Sequence, residues 1–448
     1  MLGLVVQPLI SLIAMTLLTG LIVVDHPSAD RERSAATLPQ APAAYPIPEG
    51  ALSVSNTPDL LAALAAGTPQ DIVLAPGVYD NGGPFVNANG HRLYSATLGG
   101  AVFHAGLVIG GESGPGGGLV QGVSFDVRDP ARISDRALIS TWGPGGVGAR
   151  ILDSTFNGHR TIEAGIVMRQ PEGAVVQRVV VRDFLSYGVL LDANVRGMVV
   201  AQRPLLEDLD VANVSRAVPG SANGTAEVCV WLGNTSTLRR ALIRNCYSTG
   251  LWTGTADRGS LHEDLDIDYI GDLGTSTGAA VGMEHYTTAT TFQRMNIGSH
   301  VFVGVLAEWN YGVGDASSVD NIIQDSTIRS ARAGIYFDEG TTRTTVRRVK
   351  FIGQSWAAIG DFKGINNVYY DNDYTGINPG ALPVSHNHFR SIHDESIAVA
   401  PGQVSHDGTL ALFRQWKVSM LDRGSGDVSP LGADAHLGDH GSVFDLRR

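Results

Sequence analysis

Short runs of β-favouring residues recur along most of the chain, separated by Gly, Asn or Asp. DIVLAPGVYDN from Asp71, LVQGVSFDV from Leu119, RRALIRNCYSTGLWTG from Arg239 and QDSTIRSARAGIYFDEG from Gln324 are typical. Apolar and polar residues alternate within each run, which is the period of a strand. Aligning the small residue that precedes the last strand of each run gives Gly188, Cys229, Gly250, Ala280, Gly304, Gly334 and Ala358. A recurrence of roughly 20 to 30 residues is one turn of a β-solenoid. A doubly wound sheet would need long amphipathic crossover helices, and a propeller would need blades of about 40 residues; neither pattern is present. Ahead of the repeats, TPDLLAALAA (residues 57–66) has helical apolar spacing behind a Thr-Pro start, predicting a short helix that caps one end.

The same alignment assigns faces. Taking the position after each small residue as buried, the inward pairs are Val189/Leu191, Val230/Leu232, Leu251/Thr253, Val281/Met283, Val305/Ala307 and Ile335/Phe337, apolar except for Thr253. The outward position two beyond the small residue then reads Leu190, Trp231, Trp252, Gly282, Leu306, Tyr336. Four beyond, it reads Asp192, Gly233, Gly254, Glu284, Glu308, Asp338. Three carboxylates therefore fall on consecutive coils beside a line of aromatic rings.

The opening GTPQDIVLAPGVYDN, followed by coils of the form xxVxxxxxxGIxxx, resembles the pectin lyase-like superfamily over roughly residues 69–375. The resemblance implies an all-β fold, a right-handed single-stranded parallel β-helix. It implies no activity, because that superfamily includes lyases, hydrolases, epimerases and non-catalytic surface proteins. The polygalacturonase motifs NTD, double Asp, GHG and RIK are absent, as are the DPxHD motif of alginate epimerases and the lyase Lys/Arg arrangement.

Residues 2–24 carry no charge and are long enough to cross a bilayer. No Lys or Arg precedes them and no A-x-A site follows, which favours an anchor over a cleaved signal peptide. A Pro/Ala-rich spacer comes next. The predicted organisation is a signal or anchor helix at 1–25, a linker at 26–50, the β-helix at 51–375, and a cap with an irregular tail at 376–448. Within that tail, residues 407–421 have helical spacing suited to covering the last coil's edge. The expected location is extracellular or at the cell surface, with membrane contact through the N-terminal helix if it is retained.

Of the 448 residues 43% are apolar, so a large core is available, and 55 glycines against three lysines suit turns better than helices. A net charge of −12 offers no field for phosphates and excludes nucleic acid as a main partner. Two cysteines, Cys229 and Cys246, exclude a disulfide scaffold and a four-thiolate zinc site; one disulfide or two buried thiols both remain open.

Neighbouring coils lie roughly 4.8 Å apart, so stacked like charges disfavour joint ionisation unless a cation intervenes or one acid keeps its proton. Glycosidic hydrolysis needs such a pair, one acid to protonate the leaving oxygen and one carboxylate to activate water or attack carbon. The candidate catalytic residues are Glu308 as central acid, with Glu284, Asp338 and Glu339 sharing the base and tuning roles. Trp231, Trp252, Tyr286, Trp309, Tyr311 and Tyr336 are the candidate sugar-stacking rings, and a polysaccharide is the expected partner. No cofactor is implied by this reading. A polysaccharide lyase, in which the acids hold calcium and Lys363, Arg258 or Arg332 serves as base, is the alternative enzyme. A non-catalytic glycan-binding surface protein is the alternative of a different class.

Overall fold

The computed structural model describes residues 45–111, 116–191, 203–214, 228–271, 278–283, 287–307, 318–337, 341–361 and 364–386. By compactness the chain divides into Met1–Ala36 and Thr37–Arg448, and every described residue lies in the second unit.

The described strands form a 21-stranded sheet and a 12-stranded sheet, and their ladders are parallel. Apart from those at the two ends, each strand pairs with its equivalent one coil earlier and one coil later. Val189, Val230, Leu251, Val281, Val305, Ile335, Ile359 and Val384 succeed one another as register partners along the second sheet. Crossovers between parallel strands take the right-handed sense that strand twist imposes. The fold is therefore the right-handed parallel β-helix that the resemblance implies.

The small-residue column is a steric requirement. A Cβ on Gly188 would lie 2.7 Å from the Cys229 carbonyl oxygen, where the next coil's backbone passes. The inward neighbours of that column, from Val189 to Phe337, are buried in one continuous core. Toward the N-terminal end this core is a column of rings, with Phe103 5.5 Å from Tyr79 and 5.2 Å from Phe125, which stacks 5.0 Å from Phe156.

The first helix, α1 (Thr57–Leu64), follows Asn56, whose side chain accepts from the Asp59 amide, and it buries Leu60, Ala63 and Leu64 in the core of the first coils. It ends two residues before the apolar pattern suggests, with Ala65 as its C-cap. At the other end, Leu382–His386 pairs with Ala357–Asp361, so the coils continue past residue 375. Cys229 and Cys246 are joined in a disulfide, with sulfur-bearing residues 0% and 1% exposed, resolving the choice that composition left open. No helix among the described residues is long and apolar enough to cross a membrane; residues 2–24 and the segment 407–421 lie outside the described residues.

Candidate functional site

The corner where the second sheet ends is set by register. Met283, Ala307 and Phe337 are the last paired residues of three successive strands, Ala279–Met283, Val303–Ala307 and Ala333–Phe337, and they are partners of one another. Glu284, Glu308 and Asp338 are the next residues in the chain after these three. These acids, with Glu339, Tyr286, Trp309 and Tyr311, lie outside the described residues.

The chain is described again at Thr287, Ser318 and Thr341, each buried. Thr288, Val319 and Thr342 then bridge in parallel from coil to coil. Next comes a feature that the sequence reading missed, a seam of buried small polar residues just ahead of the first-sheet strands: Ser236, Ser260, Thr290, Asn321, Thr344 and Asn367. Its members satisfy backbone amides across coils. The Ser236 amide donates to Ser260 Oγ at 2.8 Å, the Thr290 amide to Asn321 Oδ1 at 3.0 Å and the Thr344 amide to Asn367 Oδ1 at 2.9 Å. The signal was available: a Ser, Thr or Asn stands directly before each of these strands.

Two buried carboxylates anchor the seam. Asp257 accepts from Ser260 Oγ and, at 3.2 Å, from Thr290 Oγ1, and its Oδ2 lies 3.8 Å from His262 Nε2. Asp361 accepts from the Gly364 amide at 2.8 Å, from Asn367 Nδ2 at 3.1 Å and from the Tyr369 hydroxyl. These bonds tie the seam from coil to coil, while the hydroxyls of Ser236, Ser318, Thr341 and Thr344 and both ring nitrogens of His262 are buried without a hydrogen-bond partner.

The aromatic line requires a correction. Trp231, Trp252 and Tyr336 are on the outer side of the second sheet, as alternation places them, but they are only 4%, 4% and 2% exposed. Trp231 packs 4.4 Å from Trp252 and 5.3 Å from Tyr187, in a cluster with Val167, Leu190 and Val228. Tyr336 packs 6.0 Å from Trp356 in a second cluster with Leu306. Period-two alternation identifies a face of a sheet and says nothing of whether that face is covered. The expectation of open rings is not met at these three positions.

The base candidates of the lyase reading also separate. Arg258 is exposed at the site corner, where it bridges to Thr288. Arg332 stands before Ala333, at the opposite end of the strand from Phe337. Five residues of strand span roughly 16 Å, so its backbone is remote from the acid corner. Lys363 lies outside the described residues. Among the described residues no group of three or more His, Cys, Asp or Glu could hold a metal ion.

No family model matches the chain, and no curated protein matches it. Solved structures similar to it include the Dettilon tailspike protein (gp208), with 13% identity and a TM-score of 0.49, covering 76% of this chain and 65% of the tailspike. They include the catalytic domain of a GH87 alpha-1,3-glucanase in complex with tetrasaccharides, with 11% identity, a TM-score of 0.49, and coverage of 78% of this chain and 71% of that one. PfbA, a surface adhesin of Streptococcus pneumoniae, has 10% identity and a TM-score of 0.42, covering 80% of this chain and 96% of the adhesin. This chain thus spans less than two thirds of the tailspike's length.

Proposed function

We propose that this chain is an exported, carbohydrate-active β-helix protein that hydrolyses glycosidic bonds of an extracellular polysaccharide at the corner launched from Met283, Ala307 and Phe337. The observation that carries the reading is their mutual register, because each is followed directly by an acid: Glu284, Glu308 and Asp338. Carboxylates set out from adjacent coils start roughly 5 Å apart, and from alternate coils roughly 10 Å apart. Side-chain reach brings these into the ranges used by retaining and inverting glycosidases, about 5 Å and about 6.5–9.5 Å. In this reading Glu308 protonates the leaving oxygen, and Glu284 or Asp338, assisted by Glu339, activates water or attacks carbon. Tyr286, Trp309 and Tyr311 flank the acids in sequence and are the proposed stacking rings; Trp231, Trp252 and Tyr336 are buried and are given no stacking role.

The low exposure of Trp231 and Trp252 weakens an open glycan-binding platform; of the lyase bases, Arg332 stands at the wrong end of its strand, which leaves Arg258 and Lys363 to that alternative. Screening the full chain against a polysaccharide panel, with and without EDTA, tests the proposal. Turnover that resists EDTA and disappears in Glu308→Gln supports it. Turnover abolished by EDTA in the parent overturns it in favour of the lyase, and binding without turnover in both proteins overturns it in favour of a module.

A further inference from the structure

A column of charged residues runs along the first sheet. Between the two strand segments of each coil, one residue turns the chain through the left-handed region. In order these are Asp153, Arg178, Asp208, Arg240, Asp264, Arg294, Asp325, Arg348 and Asp371, with φ between 51° and 57°. The preceding coils place glycines there, Gly99 and Gly122. Left-handed geometry favours Gly, Asn and, less strongly, Asp, and it gives no preference to Arg. Yet Asp and Arg alternate on nine consecutive coils.

The alternation is built into contacts. The Arg178 guanidinium donates to both oxygens of Asp153, and the same two-pronged bond recurs from Arg240 to Asp208, Arg294 to Asp264 and Arg348 to Asp325. The flanking pairs place each member opposite its equivalent: Gln177 faces Glu207 and Val179 faces Leu209, so Arg178 faces Asp208. Attraction also crosses the rungs that lack a direct bond. Asp208 helps raise the Arg178 pKa, and Arg294 helps lower that of Asp325, in each case behind a directly bonded partner.

We infer that this alternating column is a register lock, which selects how coils stack during folding by making a slip of one coil place like charge on like charge at the slipped junction. The sheet itself discriminates poorly against such a slip. Its inward positions are apolar except at His262, so a displaced coil would still bury apolar side chains against one another at most junctions. A slip of two coils restores the alternation but leaves twice as much core exposed to water. The carboxylates of Asp153 and Asp208 are buried, but the other two bonded pairs are exposed, with side chains 46% and 41% accessible at Arg294 and Asp264, so these two add little to stability once the coils are correctly stacked. Their effect lies in the penalty on the wrong stack.

The test replaces Asp264, Arg294, Asp325 and Arg348 together by Asn, which tolerates the left-handed turn and carries no charge. Parent and variant are unfolded in denaturant with the disulfide intact and refolded, and recovery of the native hydrogen-exchange pattern is scored. The lock predicts a severalfold lower native yield for the variant, with little change in the melting temperature of whatever fraction is native. It also predicts that the parent's yield falls as salt rises during refolding, because screening weakens repulsion between exposed charges. Equal yields at all salt concentrations overturn the inference. So does a variant whose yield loss is fully explained by a lower melting temperature, since that makes the column a stabilising ladder only. If the variant cannot be obtained natively folded, the salt dependence of the parent decides alone.

Discussion

The disulfide offers a prediction with a magnitude set by topology. Cys229 occupies the small-residue column of the second sheet, and Cys246 takes the position held by Val214 and Ile270 on the coils before and after it. Replacing the pair as Cys229→Ala/Cys246→Val therefore removes the cross-link while keeping residue types that neighbouring coils already use. The two cysteines are 17 residues apart in sequence. Cross-linking a loop of that size removes chain entropy from the unfolded state worth about 3 kcal/mol at 25 °C. For a folded body of roughly 300 residues, that loss lowers the melting temperature by roughly 5 °C. The assay is calorimetric or circular-dichroism melting of parent and double variant, with and without reductant. Both sulfurs are closed to solvent, so reductant acts on the parent only as it opens, and the untreated parent should resist mild reduction below its melting range. A double variant melting within about 1 °C of the parent would refute the chain-entropy account of this cross-link.

Further predictions rest on other parts of the molecule. Phe125→Ala opens a cavity between the rings of Phe103 and Phe156 and should destabilise by about 3–5 kcal/mol in denaturant titration. Trp252→Ala should do the same, because its ring is buried against Trp231; a change in substrate KM with unchanged stability would restore the open-platform reading. The guanidinium of Arg343 beside Asp320, and that of Arg348 beside Asp325, hold both carboxyls below the usual range. A carboxyl with a lowered folded-state pKa stabilises the fold above its unfolded value near 4, and the contribution is lost as pH falls through the folded value. Melting temperature should therefore fall below about pH 4 more steeply in the parent than in Asp320→Asn/Asp325→Asn, and parallel curves would contradict this.

The second sheet was legible because its constraint is steric and local. Wherever the next coil's backbone passes close by, only Gly, Ala or Cys fits, and the residues after Gly188, Cys229, Gly250, Ala280, Gly304 and Gly334 fall in the register that their spacing predicts. Burial of the inward pairs, Thr253 included, follows from the same alignment. The cover over Trp231, Trp252 and Tyr336 was not legible, since strand alternation reports the direction of a side chain and is silent about what lies beyond it. The left-handed Asp/Arg column was overlooked for a different reason. Its members interrupt the alternation of apolar and polar residues, so each looks like an ordinary polar loop position until the coils are stacked. The disulfide likewise depends on a coil bringing Cys229 beside Cys246.

The acid corner carries the functional account, and the pH dependence of kcat/KM tests it most directly once a substrate is found. The account predicts a bell with an acidic limb from the carboxylate and an alkaline limb from the protonated acid. Glu308→Gln should retain substrate binding while losing turnover and the alkaline limb. A Glu308→Gln protein with parental turnover and an unchanged profile would contradict the assignment of catalysis to this corner.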